Sequence, residues 1–179
     1  MLTTLLAGCS GEPAQAPSTA AGSRPDATTT SAATPEIDAR AEAPIPEGED
    51  RVVVRIVDGD TIVVDGDEKI RLIGIDTPET KDPRKPVECF GREASAFIES
   101  LIPAGTAVRL AYDVERTDRY DRTLAYIYRL TDGLFVNLEL AEQGYAQVAT
   151  YPPNVAHVDE FLEATRRARE AGRGLWSAC

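Results

Sequence analysis

Large aliphatic side chains are almost missing from the first part of this chain. Between positions 10 and 50 only Ile37 and Ile45 interrupt a run of Ala, Pro, Thr, Ser, Gly and acidic residues. Such a segment cannot offset the entropy of ordering its backbone, which excludes a packed core there and predicts an extended, disordered linker. Basic residues are also in the minority, with 19 Lys and Arg against 30 Asp and Glu and a formal charge of −11. That balance excludes tight, nonspecific attachment to nucleic acid through a broad cationic face. A few convergent arginines remain able to act locally, since charges are screened beyond about 8 to 10 Å at physiological salt. Histidine occurs once, at His157, at the predicted start of a helix, where a polar terminal residue is the ordinary reading and a catalytic base is not. No segment approaches the ~20 apolar residues of a membrane span. No internal repeat is present, and the two Asp-Gly-Asp copies at 58–60 and 65–67 read as adjacent strand turns.

What remains is residues 51–179, enough for one domain with one core. The segment RVVVRIVDGDTIVVDGDEKIRLIGI, rich in Val and Ile and punctuated by Asp-Gly, predicts three strands near 51–57, 61–65 and 68–75. Ala94, Phe97, Ile98 and Leu101 share a helical face, placing a first helix over 90–101, ended by Pro103 and Gly105. Alternation returns at 106–114 and 122–130, giving two more strands, and helical patterns follow that stop at Gly144 and Gly172. The order βββαββαα predicts an α+β domain: a five-stranded Greek-key barrel of the OB-fold with three helices. Phe90, Phe97, Tyr126, Tyr128 and Trp176 are expected to pack in or around that barrel.

The amino terminus adds an address. Leu6-Ala7-Gly8-Cys9 resembles the bacterial lipobox, in which the signal is cut before the cysteine and the thiol is lipidated. Residues 1–9 are then a signal remnant, although no Lys or Arg precedes the apolar run. The expected location is extracytoplasmic, anchored to the membrane by lipid on Cys9 or secreted, with residues 10–50 as the tether. In an oxidising compartment Cys89 and Cys179 are left either as a disulfide or as two free thiols, and the disulfide is the expectation adopted here.

RLIGIDTPET, residues 71–80, places an arginine near the start of an apolar strand and two carboxylates just past its end. Arg71 needs an anionic partner to sit beside a core. On a straight strand it lies roughly 16 Å from Asp76, so one ligand is shared only if the chain bends, and Gly74 is where a bulge is expected. Asp60, Asp76 and Glu79 offer the oxygens that a hard cation takes, although Asp beside Gly is on its own ordinary turn chemistry. The segment RTDRYDRT, 116–123, holds Arg119, Tyr120 and Arg122, and reads equally as a solvated loop with ion pairs to Asp118 and Asp121.

Together, VDGDT, RLIGIDTPET, FGREASAF, RTDRYDRTLAYIY, VNLELAEQGYA and the terminal GLWS resemble, in order and spacing, the staphylococcal (micrococcal) nuclease family, over about residues 52 to 176. The resemblance implies an OB-fold nuclease using Ca²⁺ to cleave the P–O5′ bond of DNA or RNA, leaving 3′-phosphates. It places metal ligands at Asp60, Asp76 and the Thr77 carbonyl, the residue that handles the attacking water at Glu79, and phosphate-clamping arginines at Arg71 and Arg122. Arg119, Tyr120 and Tyr151 fall to the nucleotide pocket, and the enzyme is expected to be monomeric. Asp121 departs from the family, which commonly has glycine there. The alternative is a noncatalytic OB-fold module that binds single strands without cutting them.

Overall fold

The computed structural model describes residues 44–81 and 86–179. Cys9, the signal remnant and most of the tether lie outside the described residues. The ordered chain runs β1 (Glu49–Ile56), β2 (Thr61–Val64), β3 (Glu68–Leu72), β4 (Gly74–Asp76), α1 (Gly91–Leu101), β5 (Ala107–Ala111), β6 (Thr123–Arg129), α2 (Val136–Glu142), β7 (Gln147–Ala149), α3 (Val158–Glu170) and α4 (Leu175–Ala178).

Five of these strands close a barrel in the order β1-β2-β3-β6-β5. Strand β1 serves two partners: residues 49–52 pair with β5, and after an irregularity between Val53 and Arg55 its second half pairs with β2. That bulge bends the strand from one side of the barrel to the other, which closure requires. Contacts between neighbours are antiparallel except β3 with β6, which is parallel. The barrel interior is aliphatic: Val53, Ile62, Val64, Ile70, Leu72, Val108, Leu110 and Ile127 are all buried. Every residue of β2 is buried, because its outer face is covered as well as its inner one.

The expected α+β barrel is present, with two differences in its parts. The predicted third strand, 68–75, is two strands. Gly74 takes φ +84°, and a Cβ there would lie 2.1 Å from the ring of Phe161 on α3, so both backbone conformation and packing demand glycine. Beyond this bend β4 leaves the barrel and pairs with β7. Asn137 at the start of α2 secures the break, donating from Nδ2 to the carbonyls of Ile73 (2.9 Å) and Ala125 (3.4 Å) and accepting the Ile127 amide (2.9 Å). The second difference is α4, a fourth and very short helix where three were expected.

Cys89 and Cys179 are joined in a disulfide, with Cα atoms 6.0 Å apart, tying the chain just before α1 to the carboxyl end. Tyr126 and Tyr128 are core residues as expected, at 2% and 9% exposure. Phe90 and Phe97 are only half-buried and stack instead against Tyr145, with centroids 5.2 and 3.9 Å away. Trp176 is also half-buried, under the guanidinium of Arg169 at 4.2 Å. Among the described residues no helix is long and apolar enough to cross a membrane.

Candidate active site

The bend at Gly74 makes the site. Because the chain turns there, Arg71 on β3 faces the end of β4, and its guanidinium donates to the carbonyls of Leu72 (2.6 Å) and Ile75 (3.1 Å). Its other terminal nitrogen reaches two carboxylates at once, Asp76 at 2.7 Å and Asp60 at 3.2 Å. The five-residue gap that a straight strand would stretch to many ångströms is thus closed by one side chain.

Asp60, on the turn between β1 and β2, is 6% exposed. Its Oδ2 accepts both the amide and the hydroxyl of Thr77, each at 2.9 Å, and its Oδ1 accepts the Thr61 hydroxyl at 3.2 Å. Negative charge is nevertheless in excess here. Burial and the charge of Asp60 push the Asp58 carboxyl up to about 6. Burial also raises Asp76; Arg71 opposes this, while Asp60, Glu88 and Glu79 add to it. One arginine does not neutralise this group.

Glu79 follows Pro78 on the opposite lip. Its amide donates to Glu88 Oε2 at 3.0 Å, and its own Oε1 accepts the Lys81 amide at 2.5 Å. The third wall is the loop between β5 and β6. Asp118 Oδ2 holds Arg122 through both Nε and a terminal nitrogen at 2.7 Å, and Oδ1 accepts the amides of Tyr120 (2.8 Å) and Arg122 (3.0 Å). Burial works against this carboxylate, but the Arg122 and Tyr120 amides and the Arg122 guanidinium together hold it below the usual range. Of the two ion pairs read from the sequence, Asp118 makes one with Arg122. Asp121 instead supplies backbone geometry, at φ +58°, the left-handed region that suits glycine and that Asp enters more readily than most residues.

Tyr120 and Tyr151 stand exposed at the rim, at 62% and 72%. Arg119 lies 4.7 Å above the Tyr120 ring and donates to its hydroxyl at 2.7 Å. Asn154, buried, exchanges two 2.8 Å hydrogen bonds with the backbone of Glu115 and so ties the loop carrying Tyr151 to the loop carrying Tyr120. All nine residues expected to serve metal, phosphate, water or nucleotide line one cleft of about 520 Å³: Asp60, Arg71, Asp76, Thr77, Glu79, Arg119, Tyr120, Arg122 and Tyr151. His157 is not among its walls; it caps α3, paired with Glu160 at 2.7 Å.

Asp118, Asn154 and Glu88 were not expected. Asp118 was visible only as a possible ion-pair partner, and a carboxylate that holds another site residue carries no motif of its own. The oxygen donors, two carboxylates and a carbonyl in a net-negative setting, suit a hard divalent cation. Among the described residues no three acidic, histidine or cysteine side chains form a cation cage unaided, so the remaining positions of such a shell fall to backbone, water or substrate.

Residues 69–178 match the family model described as staphylococcal nuclease homologue. The chain is 42% identical over 132 residues to the thermonuclease of Staphylococcus intermedius, covering 72% of this chain and 77% of that protein. It is 42% identical over 128 residues to the thermonuclease of Staphylococcus hyicus, covering 70% and 74%. Endonuclease YncB of Bacillus subtilis is 38% identical over 128 residues, 69% of this chain and 59% of that one. With a closed barrel of the expected order and a cleft assembled from its bend, this chain belongs to the staphylococcal nuclease family.

Proposed function

We propose that this chain is a Ca²⁺-dependent nuclease that hydrolyses phosphodiester bonds of DNA or RNA in this cleft, breaking the P–O5′ bond and leaving 3′-phosphates. Membership of a nuclease family makes it a hydrolase of nucleic-acid phosphodiesters; the metal, the bond broken and the residue roles are the finer part of the proposal. The observation that carries it is the facing of two arginines, Arg71 and Arg122, across a cleft whose other charged residues are carboxylates.

A phosphodiester entering there meets a guanidinium on each side. Arg71 offers planar donors to the phosphate oxygens, and Arg122 stabilises charge that grows on phosphorus and on the leaving oxygen. Arg122 does not give up a proton in this reading, because a guanidinium stays charged at any relevant pH. Glu79 orients the attacking water and takes its proton. Asp60, Asp76 and the Thr77 carbonyl would hold Ca²⁺, which when bound polarises the phosphate and makes water more acidic. Tyr120 and Tyr151, with Arg119, receive the flanking nucleotide by stacking. The same reading makes the enzyme a monomer, tethered outside the cytoplasm through lipidated Cys9 or released there.

The test is incubation of the purified chain with single-stranded DNA and with RNA, in Ca²⁺ or in chelator, followed by end-group analysis. Cleavage that needs Ca²⁺ and leaves 3′-phosphates is expected. Intact strands that are merely retarded in a gel would replace the nuclease with the binding module.

A further inference from the structure

The segment that carries Glu79 is held by a second glutamate with no place in the chemistry above. Glu88 Oε2 accepts the Glu79 amide at 3.0 Å, and the Glu88 amide donates to the Glu79 carbonyl at 2.9 Å. Both backbone polar groups of Glu79 are therefore engaged by one residue nine positions later, in a reciprocal clasp across the base of 80–87. Pro78 fixes φ immediately before it. From below, α1 presses on the same segment: a Cβ on Gly91 would lie 2.6 Å from Thr80 Cγ2 and 2.9 Å from the Pro78 carbonyl. The clasp is anchored in turn, because Cys89, next to Glu88, is bonded to Cys179, and its sulfur also lies 3.6 Å from the Ala178 carbonyl.

We propose that Glu88 is the positioning residue for Glu79, fixing the backbone from which the Glu79 carboxylate reaches the attacking water. The inference rests on the function proposed above. Its physical basis is that Glu79 is the one proposed site residue borne by neither a strand nor a helix nor secured through its own side chain by an opposite charge, as Arg71 and Arg122 are. A water-handling carboxylate displaced by even an ångström loses much of its effect, so backbone restraint has to come from elsewhere, and Glu88 supplies it on both sides. The charge of Glu88 is not what the clasp needs. It adds to the repulsion felt by Asp76, and a neutral amide oxygen would accept the same Glu79 N–H.

The experiment is a double-mutant cycle on the full chain, with kcat and KM measured for a single-stranded DNA substrate at saturating Ca²⁺ and circular dichroism confirming the fold of each variant. Glu88→Ala is expected to lower kcat about 10-fold with KM nearly unchanged, and Glu88→Gln, which keeps the acceptor, to recover most of it. In a Glu79→Gln background, Glu88→Ala is expected to have no further effect, because the two act as a unit. A Glu88→Ala variant as fast as wild type, a Glu88→Gln variant as slow as Glu88→Ala, or the same 10-fold loss in the Glu79→Gln background would overturn the positioning role and leave the proposed function intact. If Glu79→Gln alone cleaved like wild type, the role of Glu79 and the positioning of it would both fall.

Discussion

The two arginines of the cleft are held in opposite ways. Arg71 is 13% exposed and engages two backbone carbonyls and two carboxylates, one of them the buried Asp60. Arg122 is 28% exposed and depends on a single partner, Asp118, four residues earlier in a loop. Arg71 is therefore part of what keeps the barrel end closed, while Arg122 is mounted on the outside of a finished fold. The same reaction asks the same service of both, a positive charge on phosphate, but only one of them can be lost without structural cost.

The largest expected effect is that of Arg71→Ala. It removes transition-state charge stabilisation, worth at least 10²- to 10³-fold in kcat by analogy with oxyanion donors, and it strands a buried carboxylate. Breaking such a pair costs roughly 3 kcal/mol of stability, so urea unfolding should shift along with activity. Arg122→Ala sharpens the contrast: kcat is expected to fall by a similar ~10²- to 10³-fold, while stability changes by less than about 1 kcal/mol, as for an exposed pair. If both variants unfold at the same urea concentration, the comparison is wrong.

Asp118→Asn comes next. Asparagine still accepts the Tyr120 and Arg122 amides but no longer pins the guanidinium with charge, and kcat should drop by about 10-fold. The variant also changes the acid limb of unfolding. Asp118 is held below the ordinary carboxylate range in the folded chain, so its contribution is complete above about pH 4 and is lost as pH falls through the folded value. Wild type should therefore lose stability below about pH 4 more steeply than Asp118→Asn, which chemical unfolding at a series of pH values will show.

Smallest is Asp121→Gly. With φ at +58°, glycine relieves a left-handed strain of about 1 kcal/mol. Activity should change by no more than about twofold, since Asp118 holds Arg122 and Asp121 does not. A large gain in kcat would mean instead that the Asp121 charge weakens the arginine clamp.

Sequence patterning carried the barrel because Val and Ile alternate along β1, β5 and β6, and Gly74 marked its bend because only a special backbone explains glycine inside an apolar run. Strand β7 and helix α4 left no such trace. Gln147–Ala149 is a strand only because β4 arrives beside it, and Leu175–Ala178 is shorter than one period of any amphipathic pattern. Within the cleft, Arg71, Asp76 and Glu79 were legible because their charges sit where a core strand should not tolerate them. Asp118, Glu88 and Asn154 were not, since each is an ordinary polar loop residue whose work is to hold a neighbour, and holding is a property of three dimensions. Phe90 and Phe97 failed as core residues for a related reason: helical spacing marks a face, and what covers that face here is Tyr145 at the surface.

The central claim is that Glu79 acts on water in a cleft whose arginines hold the phosphate, and it is tested most directly by comparing wild type with Glu79→Gln at saturating Ca²⁺ and substrate, each confirmed folded. The account predicts that Glu79→Gln binds single-stranded DNA nearly as well as wild type but turns over about 10²- to 10⁴-fold more slowly. Equal turnover by the two proteins would contradict it.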